Sequence, residues 1–333
     1  AVATAGGPGA EPEDPSEFEE ACRVAEMRLT TATGLESDEL ASVKILDRPG
    51  WADVNLRGFR PLIDRLAVRL GAGNASEPPG PLQGFFDAVG PLLLGVQVGF
   101  LAGYLSRRVL GQYDICFPSG EPGRLYFVYP NIAQVEKELE LDPRQFRLWL
   151  ALHEVAHQLE FQSVDWTKPY FLSLIERYID SAEIDSEEVV GRLRSLADPE
   201  QLSRLLESPQ ELLPMLMTPA QQGVLGEIQA FMSVMEGYAE WAMDVVGSEM
   251  LPEFGKMREG INRRRVERSA VEKMLEQLLG LDLKREQYRA GERFVRAVAE
   301  AGRLDLLWKD PTYLPRPEEV GEPERWLERV GLF

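Results

Sequence analysis

The segment 142–161 constrains the fold more than any other part of the sequence. Asp142 can cap a helix and Pro143 suits its first turn, so we expect a helix from there through about Phe161. Its first half is apolar and runs directly into His153-Glu-Val-Ala-His157. Residues four apart lie one turn apart on the same face of a helix. The pattern therefore predicts a largely buried helix that presents two imidazoles side by side.

The spacing of these histidines predicts a metal site. Two histidines one turn apart with a glutamate after the first form the HExxH pattern, in which the imidazoles bind zinc and the glutamate is the general base. The chain has only two histidines and both fall in this motif, which favours a metal site over a solvated helix surface. We interpret His153 and His157 as zinc ligands and Glu154 as the base that takes a proton from the attacking water.

A catalytic zinc site needs a third protein ligand, and no third histidine exists. The capping box Thr218-Pro-Ala-Gln221 predicts a second helix that runs to about Val246, before Gly247. Within it, Glu236 lies among apolar residues and is the preferred ligand. Glu240, one turn later, and more weakly Asp244 are candidates for hydrogen bonding to a zinc-bound imidazole. The ligand alternatives are Glu227, Glu240 and Asp244.

The remaining pattern is mainly helical, with one short pair of strands at 113–117 and 125–129. The sequence therefore predicts an α+β fold that is predominantly α-helical, with a small β-sheet beside the HExxH helix. We expect a disordered tail at 1–15, an N-terminal helical region at 16–108 and a catalytic region at 109–333. Other helices are expected at the following positions: 16–31, 52–70, 251–262, 269–279 and 283–301.

Charge and cysteine content restrict the partners and the compartment. The net charge of −19 opposes binding to phosphate backbones or anionic lipid, so nucleic acid is not an expected partner. Cys22 and Cys116 form no CxxC pair, and no signal peptide is visible, which favours the cytoplasm. The uncharged segment 88–106 has the small-residue spacing of packed membrane helices, but its Pro91 and high glycine content favour a buried core helix.

The motifs together resemble a known group of enzymes. HEVAH with a downstream glutamate resembles the gluzincin branch of the zincin-like metallopeptidases. The following segments are similar to a largely bacterial family of zinc hydrolases, common in actinobacteria and in part labelled as associated with deazaflavin-coenzyme biosynthesis: 109–114, 130–132, 142–161, 236–239, 287–291 and 326–329. The resemblance implies a zincin-like core, with His153, His157 and Glu236 as ligands and Glu154 as base. Zincins often add a tyrosine that stabilises the oxyanion, and Tyr288 is the candidate.

These observations favour a zinc-dependent hydrolase that acts on a peptide or a small amide. The alternatives are a non-catalytic scaffold that binds metal for stability or for a partner, and a membrane-associated helical protein built on 88–106. A base beside the first ligand argues against a purely structural site, since structural zinc sites favour four protein ligands.

Overall fold

The computed structural model describes residues 15–71, 95, 98–115, 123–181, 218–266 and 283–331, without the side chains of 66–71, 265–266 and 283–289. Helices dominate these residues and one three-stranded sheet accompanies them, which confirms the predicted α+β, mainly helical class. The elements in chain order are α1 Pro15–Thr33, β1 Ser42–Leu46, α2 Arg48–Gly58, α3 Arg60–Gly71, β2 Gly111–Asp114, β3 Arg124–Val128, α4 Tyr129–Glu138, α5 Pro143–Gln162, α6 Thr167–Asp180, α7 Pro219–Met250, α8 Phe254–Val266, α9 Leu283–Glu300, α10 Leu304–Leu307, a 3-10 turn Pro311–Tyr313 and α11 Pro323–Arg329.

Several sequence expectations fall outside the described residues. These are most of the tail, the helix at 269–279, Cys116 and Phe117, and residues 88–94, 96 and 97 of the uncharged segment. Among the residues that are described, no helix is long and apolar enough to cross a membrane.

The described residues of the chain fall into two compact units. The first lies within Ala1–Asp64, Gly80–Lys168 and Ala239–Arg263, and the second within Arg65–Pro79, Pro169–Tyr238 and Arg264–Phe333. The sheet and α5 belong to the first unit. Helix α7 continues without a break from the second unit into the first.

The sheet has the order β1-β3-β2, with β3 parallel to β1 and antiparallel to β2. The central strand β3 is buried on both faces, which explains its continuous apolar run Leu-Tyr-Phe-Val. Phe127 packs against Phe18 of α1 on one face, and Val128 joins Trp51 of α2 on the other. The sequence patterns predicted the strand pair but not β1.

The two helices expected to carry the site begin as predicted. Asp142 accepts a hydrogen bond from the backbone N–H of Gln145 at 2.9 Å and caps α5. Thr218 and Gln221 form the reciprocal capping box of α7, with N···O distances of 2.8 and 3.1 Å. Helix α7 does not stop at Gly247 but runs on to Met250.

Helix α5 lies in the core of the first unit. Buried side chains of α1, the sheet, α5 and residues 239–261 form one continuous cluster there. Twelve of the 20 residues of α5 are buried, so its position is held from several sides. A helix packed in this way holds functional side chains in fixed orientations.

Candidate metal centre

The two histidines lie one turn apart on α5, as their spacing requires. Their ring centroids are 4.7 Å apart and their planes are inclined by 80°. Both side chains are partly buried, between the fully buried residues of the helix core and solvent. Imidazoles placed in this way can direct one nitrogen each at a common ion.

The Nδ1 atoms of both rings have close neighbours, and the one at His157 decides which nitrogen that ring offers. His157 Nδ1 lies 2.8 Å from Oε2 of Glu160, whose side chain is completely buried. His153 Nδ1 lies 3.2 Å from the sulfur of Met243. A carboxylate at Nδ1 holds the proton there, so Nε2 of His157 carries the lone pair that can bind a metal.

Glu236 supplies the third group. His153, His157 and Glu236 each offer one ligand atom, and these atoms all lie within 4.8 Å of one another. In tetrahedral zinc coordination, ligand atoms about 2.0 to 2.2 Å from the ion are roughly 3.3 to 3.6 Å apart, which is compatible with the 4.8 Å limit that holds for these three atoms. Two imidazoles and one carboxylate form a donor set that suits zinc and leaves a fourth position for substrate or water. The residues therefore fit the metal that the HExxH pattern predicts.

Glu154 lies opposite Gly111, the first residue of the edge strand β2. The residue is buried, with 5% exposure, and its carboxylate occupies the space where a Cβ on Gly111 would lie. Burial raises the pKa of the Cys22 thiol, and the negative charge of Glu154 raises it further. The carboxylate thus lies in a confined space next to β2, and Glu154 directly follows His153 on α5.

The other predicted residues lie in different surroundings. Glu240 is partly buried on α7, one turn after Glu236. Asp244 forms an ion pair with the Arg258 guanidinium in the same unit. Tyr288 lies in α9, and its side chain is outside the described part of the chain.

Sequence reasoning missed Glu160. It lies three residues after His157, the spacing at which side chains on one helix meet, and that spacing was the available signal. The hydroxyl of Thr167 donates to the backbone carbonyl of Glu160 at 3.0 Å and closes the end of α5. A buried carboxylate that accepts from a ligating imidazole fixes the ring and increases its basicity.

Within the second unit, α9 crosses α7 at a point next to Glu236. A Cβ added to Gly237 would lie 2.4 Å from the backbone oxygen of Gly291, and one added to Gly291 would lie 2.0 Å from that of Ser233. Only glycine permits such a close approach of two backbones. Tyr288 precedes Gly291 by one turn of the same helix.

Comparisons with known proteins agree with this geometry. The chain is similar to a solved structure described as a "putative hydrolase with a novel fold" from Chloroflexus aurantiacus, with 31% identity, a TM-score of 0.67, and coverage of 96% of this chain and 92% of that one. A search of the curated proteins finds no match. A family model for zincin-like metallopeptidases matches residues 1–327. The chain therefore belongs to the zincin-like metallopeptidase family.

Proposed function

We propose that this chain is a zinc-dependent hydrolase that cleaves a peptide or small amide bond with Glu154 as general base. The observation that carries the proposal is the convergence of His153, His157 and Glu236 within 4.8 Å beside a confined glutamate. Zinc held there would act as a Lewis acid that polarises the scissile carbonyl and acidifies the attacking water.

The residues of the chain have separate tasks in this reaction. The Glu154 carboxylate accepts a proton from the attacking water and passes it to the leaving amine. Glu160 holds the His157 ring through its Nδ1 atom. Tyr288 is proposed to donate a hydrogen bond to the oxyanion, and the close crossing of Gly237 and Gly291 supports this because it brings α9 alongside α7 next to Glu236.

Two glutamine variants separate the base from a ligand. Glu154→Gln should keep zinc content and melting temperature nearly unchanged, while hydrolysis falls by about 10²- to 10⁴-fold because the amide cannot accept the proton. Glu236→Gln should lose zinc itself, because a neutral amide is a poorer ligand than a carboxylate. Glu249→Gln is the matched control, since this exposed residue lies on the same helix as Glu236.

The assay is a peptide library at neutral pH, with small amides and esters, a chelator control and elemental analysis of zinc. If Glu154→Gln cleaves as fast as the wild type at normal zinc content, Glu154 is not the base. If the zinc-loaded wild type cleaves none of these substrates, the non-catalytic scaffold replaces the hydrolase as the proposal.

A further inference from the structure

The first residue of β2, Gly111, faces the carboxylate of Glu154 at very short range. A Cβ built on Gly111 would lie 2.6 Å from Oε1 of Glu154, 2.7 Å from its Cγ and 2.8 Å from its Cδ. Those distances are shorter than any ordinary van der Waals contact. The carboxylate therefore occupies the space that any side chain at position 111 would need.

The backbone of Gly111 does not itself require glycine. Among the described residues, the glycines with positive φ are Gly34, Gly302 and Gly331. Gly111 pairs with Phe127 in the antiparallel ladder between β2 and β3. The need for glycine at this position is therefore one of space and not of backbone conformation.

The neighbouring residues of β2 show how this space is kept open. Alternation along the strand places Gly111 and Tyr113 on the same face. Tyr113 is buried and stacks on Phe161 of α5, with ring centroids 6.1 Å apart. This ring pair fills the space between β2 and α5 at Tyr113, whereas glycine at position 111 leaves space for another group. The Glu154 carboxylate lies in that space.

We propose that Gly111 is a positioning residue for Glu154. Its lack of a side chain reserves the place from which the carboxylate reaches the attacking water. The catalytic consequence rests on the proposed function, whereas the spatial consequence does not. A methyl group at 111 would displace the carboxylate and leave the fold intact, because the end of a glutamate side chain moves more easily than packed backbone.

The test is Gly111→Ala in the zinc-loaded protein, with Gly255→Ala as the matched control. Gly255 lies in α8 of the same unit, and a Cβ added there meets nothing within 4 Å. Relief of the contacts at Gly111 to normal distances requires the carboxylate to move by roughly 0.8 Å. A misplacement of that order costs about 10²-fold in turnover. Zinc content and KM should stay at their wild-type values, and Gly255→Ala should leave turnover unchanged.

Two readouts make the result decisive. Crystal structures of zinc-loaded wild type and Gly111→Ala measure the carboxylate position directly and need no substrate. In the Glu154→Gln background, Gly111→Ala should cost no further activity, because the group it displaces no longer acts as a base. A carboxylate that keeps its wild-type position in Gly111→Ala would overturn the proposal, as would full activity of that variant where Glu154→Gln is inactive.

A folding defect is also informative. If Gly111→Ala lowers the melting temperature, removing the crowded side chain in Gly111→Ala/Glu154→Ala should restore it. Failure to restore it would show that the methyl group clashes elsewhere and would overturn the proposal. Full activity of Glu154→Gln at normal zinc content would instead refute the proposed base, while the crystal structures would still test the positioning of its side chain.

Discussion

Replacing Glu160 by glutamine should weaken zinc binding although Glu160 is not a ligand. Its carboxylate is completely buried, and its Oε2 atom lies 2.8 Å from Nδ1 of His157. The substitution keeps the size and one acceptor oxygen but removes the charge. The ring then loses a charged partner while its orientation is largely kept.

The expected magnitude follows from the type of hydrogen bond. A bond to a charged group contributes about 1.5 to 3 kcal/mol, against about 0.5 to 1.5 kcal/mol for a neutral pair. The centres of these ranges differ by about 1.25 kcal/mol, which corresponds to a roughly eightfold weaker zinc affinity. Glu160→Ala removes the acceptor as well and should approach the upper end of the 10- to 100-fold range seen for such partners.

Competition against a chromophoric chelator at pH 7 measures this affinity, and the melting temperature of the metal-free protein reports folding. Glu240→Gln is the informative comparison, because Glu240 lies one turn after the proposed ligand Glu236. Glu240→Gln should weaken zinc affinity by less than about threefold. Nδ1 of His157 already contacts Glu160, and Nδ1 of His153 already contacts Met243. Wild-type zinc affinity in Glu160→Gln would show that Glu160 does not support the metal site, and a larger loss in Glu240→Gln would show that Glu240 has that role instead.

Two further predictions concern the second unit. Gly237→Ala should destabilise the protein by about 2 kcal/mol in urea unfolding, because its methyl group would meet the backbone of Gly291, whereas Gly223→Ala, with open space around it, should be neutral or stabilising. Arg329→Met should cost about 3 kcal/mol, because it leaves the buried carboxylate of Glu319 without the guanidinium that binds it at 2.8 Å. Burial raises the pKa of Glu319, but hydrogen bonds from Arg329 and a backbone N–H lower it by more, so this stabilisation is present at neutral pH and is lost as the pH falls through the lowered pKa. In the acid range, the free energy of unfolding should therefore depend less on pH in Arg329→Met than in the wild type. An equal pH dependence would show that the ion pair of Arg329 and Glu319 does not contribute to it.

The parts of the site that the sequence predicted depend on local spacing. His153 and His157 are one helical turn apart in any helix, and the caps at Asp142 and Thr218 act over three residues. Such features need no knowledge of the rest of the fold. The HExxH class of the site and the placement of the histidine pair could therefore be predicted from the sequence.

The parts that were missed depend on partners distant in the chain. Strand β1 at 42–46 pairs in parallel with β3, about 80 residues later, and its short Ser-Val-Lys-Ile-Leu sequence carries no marker of that pairing. The expected stop of α7 at Gly247 was wrong. A Cβ there would lie 2.5 Å from the ring of Phe254, so glycine makes room for the ring within a continuing helix. The role of Gly111 also depends on a residue distant in the chain, because it follows from the position of Glu154 opposite it.

The two imidazoles differ in the group that contacts Nδ1, and this difference bears on how much each ring depends on that partner. His157 has a buried carboxylate at Nδ1, whereas His153 has a thioether sulfur, which is only a weak acceptor. The charged partner fixes the tautomer and the direction of the His157 ring, so Nε2 is the atom that would bind zinc. At Nδ1 the His153 ring has a weaker contact than the His157 ring has. The pair therefore combines one imidazole that contacts a buried carboxylate with one that contacts a thioether sulfur, and His157 should depend more than His153 on its Nδ1 partner for zinc binding.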